Sequence, residues 1–298
     1  MTFENTALLT DQYELTMVAA ALRQPIAHRS CVFEVFARRL PDGRRYGVVA
    51  GTGRVIDELA HFRFGDEEIA IVEKFLDAET VAWLRDYRFS GDIDGYREGE
   101  LYFPGSPILT VRAGFAEGVL LETLILSILN HDSAIASAAA RMVSAAGTRP
   151  IIEMGSRRTH ERAAVASSRA AYIAGVAATS NLEAARRYGV PSAGTAAHAF
   201  TLAFTGPGGP DEKAAFAAQI DALGVGTTLL VDTYDITAGV RNAIEVGGTG
   251  LGAVRIDSGD LGVLARQVRH QLDDLGATET RIVVSGDLDE YALSLIHI

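Results

Sequence analysis

From Pro150 onward the chain repeats one pattern: a short apolar run, a few polar residues, then a helical stretch. The apolar runs are Ile151 to Met154, Val176 to Thr179, Pro191 to Ala196, Thr228 to Val231, Ala253 to Ile256 and Arg281 to Val284. The helical stretches that follow are Glu161 to Gly175, Leu182 to Tyr188, Asp211 to Leu223, Ala238 to Val246, Leu261 to Leu275, and one opening at Leu288. Strands that alternate with helices in this way build a parallel sheet or a barrel. About six βα units fit; a closed eightfold barrel needs two more. The sequence stops inside the helix of the sixth unit, so it reads as C-terminally truncated.

The first ~110 residues differ in texture, as expected of mixed α and β structure. Thr10-Asp11 precedes a helical pattern through Tyr13, Leu15, Met17, Val18 and Leu22, and Cys31 to Phe36 alternates as a strand does. Gly51-Thr52-Gly53 opens a helix through Leu59, and Asp66 to Leu76 and Glu79 to Tyr87 follow. Strand chemistry returns from Gly91 to Ala113, and one long helix is expected from about Phe115 to Ala146. The fold class expected is α/β: an N-terminal α/β domain over 1–113, packed on an irregular, incomplete (β/α) barrel over 114–298.

Composition excludes several functions. The net charge of −11 argues against a nucleic-acid binder, which needs a basic face. Local arginine clusters can still hold small anions. The single cysteine, Cys31, cannot form an internal disulfide, which suits a reducing compartment; its residue type suits a small buried side chain on a strand. Residues Met1 to Thr10 lack a basic n-region, and Val119 to Leu129 is interrupted by Glu122, Thr123 and Ser127. No stretch approaches the ~18 apolar residues of a spanning helix. A cytoplasmic protein with no membrane contact is expected.

The polar residues at or just past the six runs carry the chemistry: Arg157, Ser180 with Asn181, Thr195 with His198, Asp232, Asp257 with Ser258, and Asp287. In repeated β/α folds reactive groups collect at the carboxyl ends of strands. Guanidinium forks match phosphate and carboxylate oxygens, and aspartates suit ribose hydroxyls or a magnesium carried by pyrophosphate. Ser258-Gly259 and Ser285-Gly286 are small enough for backbone amides to approach a phosphate. Arg255 and Asp257 are two apart and share a strand face. Together these suggest an enzyme that handles a phosphorylated sugar. A Schiff-base aldolase is disfavoured, because the only lysines, Lys74 and Lys213, fall in helical patterns.

The segments TDQYELTM, FEVFARRLPDGRRYGVVAG, EMGSRRTH, GTAAH, VDTYD and RIDSGDL, spread in order from Thr10 to Leu261, resemble those of nicotinate phosphoribosyltransferases. The resemblance implies an activity: phosphoribosyl transfer from phosphoribosyl pyrophosphate to nicotinate in NAD salvage. The products would be nicotinate mononucleotide and pyrophosphate, with ATP hydrolysis coupled to the step and Mg²⁺ accompanying the phosphates. It also implies a homodimer with shared active sites. His198 matches the histidine that ATP phosphorylates, and a neutral imidazole is a competent nucleophile near pH 7. Arg255 and Asp257 match catalytic positions.

Tyr13 matches a tyrosine that stacks on the pyridine ring of the neighbouring subunit's site, while Met154 stands where some relatives have a second aromatic. Arg157 and Thr195, with Arg255, match positions that hold the substrate carboxylate and nearby phosphoribosyl groups. Asp232, Asp257 and Asp287, with Gly286, match ribose and pyrophosphate contacts, Ser258 is a further substrate-binding position, and Arg38 and Arg39 could reach the pyrophosphate across a dimer. Ser180 stands where nicotinamide-using relatives place an aspartate. A hydroxyl can donate to a carboxylate that an aspartate would repel, so the acid is favoured over the amide. No resident metal site is expected. The alternatives are a nicotinamide phosphoribosyltransferase and a degenerate, non-catalytic homologue that binds nucleotide-like ligands. A 298-residue form is expected to be poorly stable and inactive.

Overall fold

The computed structural model describes residues 5–296. The chain forms two compact units by its contacts: one up to Arg141 plus Ile151–Pro191, the other Met142–Pro150 plus the residues from Ser192. This division falls elsewhere than the boundary expected at residue 113.

The first unit begins with α1 (Gln12–Leu22), β1 (Ser30–Phe36), β2 (Gly47–Val48), α2 (Thr52–Leu59), α3 (Asp66–Val72) and α4 (Ala78–Asp86). It continues with β3 (Asp92–Gly95), β4 (Leu101–Tyr102), β5 (Pro107–Gly114), α5 (Phe115–Val119) and the body of α6 (Glu122–Ala146). It closes with β6 (Ile152–Glu153), α7 (Glu161–Ile173), β7 (Ala178–Thr179) and α8 (Leu182–Tyr188). The order β1-β5-β3 makes an antiparallel sheet with Ser30 opposite Gly114 and Asp92 opposite Arg112. Ile108, Leu109, Val111 and Ala113 of β5 are buried in one core with Leu15, Val18, Leu84, Leu120, Leu121 and Leu124. Each such leucine contributes about 1.5–3 kcal/mol by leaving water.

The helix expected from 115 to 146 is two helices. The chain turns at Leu120-Leu121, which buries both side chains completely. The turn exposes the first amides of α6, and α1 meets one of them: Glu14, itself fully buried, accepts from the Thr123 backbone N–H at 3.0 Å and its hydroxyl at 2.6 Å.

The second unit carries α9 (His198–Leu202), β8 (Thr205–Gly206), β9 (Gly209–Pro210), α10 (Glu212–Leu223) and β10 (Thr228–Leu230). Then come α11 (Ile236–Gly247), β11 (Ala253–Ile256), α12 (Leu261–Asp274), β12 (Arg281–Val284) and α13 (Glu290–Leu295). Strands β10, β11 and β12 are parallel in that order, with Thr228 opposite Ala253 and Ala253 opposite Arg281. Leu229, Val254, Ile256, Val240, Ala243, Val268 and Leu272 fill the core between strands and helices. Gly239 lets α11 sit against β10, because a Cβ there would lie 2.2 Å from the Val231 carbonyl oxygen.

The architecture is α/β, and its later strands are parallel as expected, β6 with β7 and β10 with β11 and β12. One expected strand is missing. Residues 191–196 form only an isolated bridge, and the short helix α9 and the hairpin β8–β9 follow instead. Pro191 offers no amide to a ladder, and the Ala196 carbonyl and Thr195 hydroxyl accept from the Arg255 guanidinium.

Candidate functional site

The parallel register places the carboxyl ends of β10, β11 and β12 side by side. Asp232, Asp257-Ser258 and Ser285-Gly286-Asp287 leave those ends in turn. Asp232 is held under the β11 end: its Oδ2 accepts the Asp257 backbone N–H at 2.9 Å and the Ser258 hydroxyl at 2.6 Å. Its Oδ1 is buried without a hydrogen-bond partner. Such an oxygen costs free energy until a hydroxyl or cation meets it.

Arg255 organises the neighbouring side chains. Its Nε donates to Ser285 Oγ at 2.8 Å, and one terminal nitrogen donates to Thr195 Oγ1 at 2.8 Å and the Ala196 carbonyl at 3.3 Å. The other terminal nitrogen donates to Asp257 Oδ1 at 2.9 Å. Four of the five guanidinium N–H groups are thus engaged within the protein. Burial works against ionising Asp257, but hydrogen bonds from Ser285 and Arg255, with the charges of Arg255 and His198, outweigh it and hold the carboxyl below its ordinary range.

His198 is the first residue of α9, and its imidazole is 39% exposed, so a ligand can reach it. Nδ1 lies 3.2 Å from Thr233 Oγ1, while Nε2 faces Asp257 Oδ2 at 3.8 Å and Asp232 Oδ1 at 4.0 Å. One nitrogen is therefore steadied by a hydroxyl and the other looks toward two carboxylates. Gly286 has φ 121°, and a Cβ on it would lie 3.1 Å from the Asp257 carbonyl oxygen, so the turn past β12 requires glycine. Asp287, the next residue, has φ 39° in the left-handed region. The structure thus gathers Thr195, His198, Asp232, Arg255, Asp257, Ser258, Gly286 and Asp287 at the strand ends of the second unit.

Arg157 and Ser180 are brought together in the first unit. The 3-10 turn Gly155–Arg157 follows β6 and the Ser180-Asn181 loop follows β7. Asn181 Nδ2 joins them by donating to Ser156 Oγ at 3.0 Å, and its Oδ1 caps α8 at the Ala184 N–H. Arg157 is exposed, and its guanidinium carries no ion pair among the described residues. Tyr13 lines a separate feature, an open cleft of about 700 Å³ with Arg38, Arg39, Arg44, Glu122 and Thr123. That lining includes neither Arg157 nor Ser180. Burial, with Glu122 and Glu14 facing it, raises the Tyr13 phenol above its ordinary range.

Sequence reasoning passed over Thr233 and Glu153. Each adjoins or lies inside a motif quoted above, but their role depends on side-chain direction, which spacing does not give. Among the described residues no group of three His, Cys, Asp or Glu side chains could hold a metal ion, and no helix is long and apolar enough to cross a membrane.

Residues 8–130 match the family model described as the nicotinate phosphoribosyltransferase N-terminal domain. The chain is 70% identical over 292 residues to nicotinate phosphoribosyltransferase pncB1 of Mycobacterium tuberculosis, an alignment that covers 97% of this chain and 65% of that protein. Nearly the whole length of this chain is therefore similar to a nicotinate phosphoribosyltransferase. It is also 36% identical over 299 residues to the nicotinate phosphoribosyltransferase of Bacillus subtilis, covering 97% of this chain and 60% of that protein. The crystal structure of human nicotinic acid phosphoribosyltransferase superposes with a TM-score of 0.84 at 29% identity, covering 96% of this chain and 69% of that one. The chain thus spans under two thirds of the length of these two bacterial proteins.

Proposed function

We propose that this protein transfers the phosphoribosyl group of phosphoribosyl pyrophosphate to nicotinate, giving nicotinate mononucleotide and pyrophosphate for NAD biosynthesis, and couples the step to ATP hydrolysis. The observation that carries the reading is the cluster at the ends of β10–β12, where an exposed imidazole faces two carboxylates, Asp257 anchored by Arg255 and Asp232 by the Asp257 backbone N–H and the Ser258 hydroxyl. The names of its relatives support the phosphoribosyl transfer to nicotinate.

The chain's residues divide the work as follows. Asp232 Oδ1, buried and lacking a donor, accepts a ribose hydroxyl or faces a magnesium that arrives with pyrophosphate. The two carboxylates fit such an ion and supply only part of its shell, since the described residues form no three-ligand group. Magnesium, when bound, neutralises the leaving pyrophosphate. The pyridine nitrogen of nicotinate is already a nucleophile, so the protein orients the partners and stabilises positive charge at the anomeric carbon. Asp257, kept ionised by Arg255 and Ser285, suits that task.

Arg157 and Ser180 hold the nicotinate carboxylate, with Tyr13 of a second copy stacking on the ring in a homodimer and Arg38 and Arg39 near the pyrophosphate. Backbone amides beside Ser258 and Gly286 and the Asp287 side chain complete the phosphate and ribose contacts. His198 takes the γ-phosphoryl group of ATP on Nε2, the nitrogen that Thr233 leaves open, and Thr195 and Arg255 fix the loop that carries it. We place the activity in the cytoplasm, where its substrates occur.

The test is nicotinate mononucleotide formation by the full-length protein, wild type and His198→Ala. Loss of ATP stoichiometry with residual transfer supports the reading; an unchanged ATP-to-product ratio in the variant rules out His198 as the phosphoryl acceptor.

A further inference from the structure

The carboxylate of Glu153 reaches both loops that follow β6 and β7, and none of the roles above uses it. Its Oε1 accepts the Gly155 backbone N–H, the first amide of the turn that carries Arg157. Its Oε2 accepts from the Thr179 hydroxyl at 2.7 Å and lies 2.7 Å from the Ser168 hydroxyl. Thr179 Oγ1 in turn accepts the Asn181 backbone N–H at 3.0 Å. The main-chain carbonyl of Glu153 accepts the Ser180 N–H at 2.9 Å. One residue therefore ties down Gly155 directly, Ser180 through its backbone, and Asn181 through a hydroxyl relay.

The surroundings make this arrangement stiff. Ser168 and Thr179 are 1% and 0% exposed, so water does not compete for the carboxylate on that side. Asn181 closes the loop by donating to Ser156, next to Arg157. The side chains of Arg157 and Ser180 are exposed and make no such ties among the described residues. Their geometry is inherited from the backbone beneath them, and that backbone is fastened to Glu153.

We propose that Glu153 is a positioning residue that sets the spacing between the Arg157 turn and the Ser180 loop, and so tunes the site for a planar aromatic carboxylate. The claim rests on the reading that these two loops bind the nicotinate carboxylate. A charge-assisted acceptor for three donors is what a neutral side chain cannot fully replace. A bidentate anion contact tolerates little error, since a misplacement of about 1 Å can cost around a hundredfold.

The test compares Glu153→Ala, Glu153→Gln and Thr179→Val with wild type by backbone hydrogen exchange and by nicotinate titration. In Glu153→Ala, the amides of residues 155 and 181 should exchange at least tenfold faster, that of residue 180 less so because its main-chain acceptor remains, while α6 keeps its protection, and nicotinate should bind about tenfold more weakly. Thr179→Val should speed exchange at 181 and spare 155. Glu153→Gln keeps one acceptor and should fall between the two. In turnover by the full-length protein the loss should fall on the KM for nicotinate, with kcat and the KM for phosphoribosyl pyrophosphate nearly unchanged. Unaltered exchange at both loops in a folded Glu153→Ala protein overturns the proposal, as does an equal fall in every kinetic constant. If the exchange responds as described but wild type takes up no nicotinate, the positioning role stands and the nicotinate reading fails.

Discussion

Replacing Arg255 by alanine should open the second unit from its strand ends. The guanidinium is 12% exposed and makes four hydrogen bonds, to Thr195, Ala196, Ser285 and Asp257. Breaking a buried ion pair by deleting one partner costs about 3–5 kcal/mol. Asp257 keeps the Ser285 hydroxyl and is 28% exposed, which argues for the low end, about 3 kcal/mol. Because the chain has two compact units, a single unfolding curve would blur the effect. Hydrogen exchange in β10, β11 and β12 reads it locally, and about 3 kcal/mol corresponds to roughly a hundredfold faster exchange.

The pH dependence adds a second check on the same variant. The folded-state carboxyl of Asp257 sits below its ordinary value, so its stabilising contribution is full above the unfolded carboxylate range and is lost as pH falls through the folded value. Arg255→Ala removes part of that hold. Its deficit at pH 7 should therefore shrink as the pH approaches 3. A deficit under about 1 kcal/mol that does not change with pH would refute the reasoning.

Glu14→Gln should stabilise the first unit at pH 8, because burial raises the Glu14 carboxyl and leaves Oε2 without a partner; the gain should fade as pH drops toward 4.5, as urea titrations at several pH values would show. Gly286→Ala should cost about 1–3 kcal/mol through its positive φ and the crowding against Asp257, and should weaken phosphoribosyl pyrophosphate binding in calorimetry. Ser180→Asp should depress turnover of nicotinate and spare that of nicotinamide, measured as KM for each. Thr233→Val frees His198 Nδ1 and should slow phosphorylation from ATP more than phosphoribosyl transfer, read as a fall in ATP used per product.

Much of this molecule was legible in the sequence because its signals are local. Runs such as Ala253–Ile256 and Arg281–Val284 form strands at their expected limits, since short β-branched runs flanked by small or polar residues leave the chain few options. Residues 191–196 misled because an apolar, β-prone run next to a proline was weighed without its partners. At its far end the segment bonds to the Arg255 guanidinium, through Thr195 and Ala196, and not to a neighbouring strand. The break at Leu120-Leu121 was hidden for a related reason: both leucines fit a helix locally, and only the core and the carboxylate of Glu14 favour a turn. At the site, the residues at the ends of β10–β12 were readable from position alone. The orphan oxygen of Asp232, the Thr233 contact to His198 and the reach of Glu153 depend on side-chain directions fixed by tertiary packing.

The central claim is tested most directly by giving the full-length protein phosphoribosyl pyrophosphate, magnesium and ATP with either nicotinate or nicotinamide, and quantifying the two mononucleotides in a single turnover. The account requires nicotinate mononucleotide in stoichiometric yield and little product from the amide. Faster product formation from nicotinamide, or none from nicotinate in a protein that binds both substrates, would contradict it.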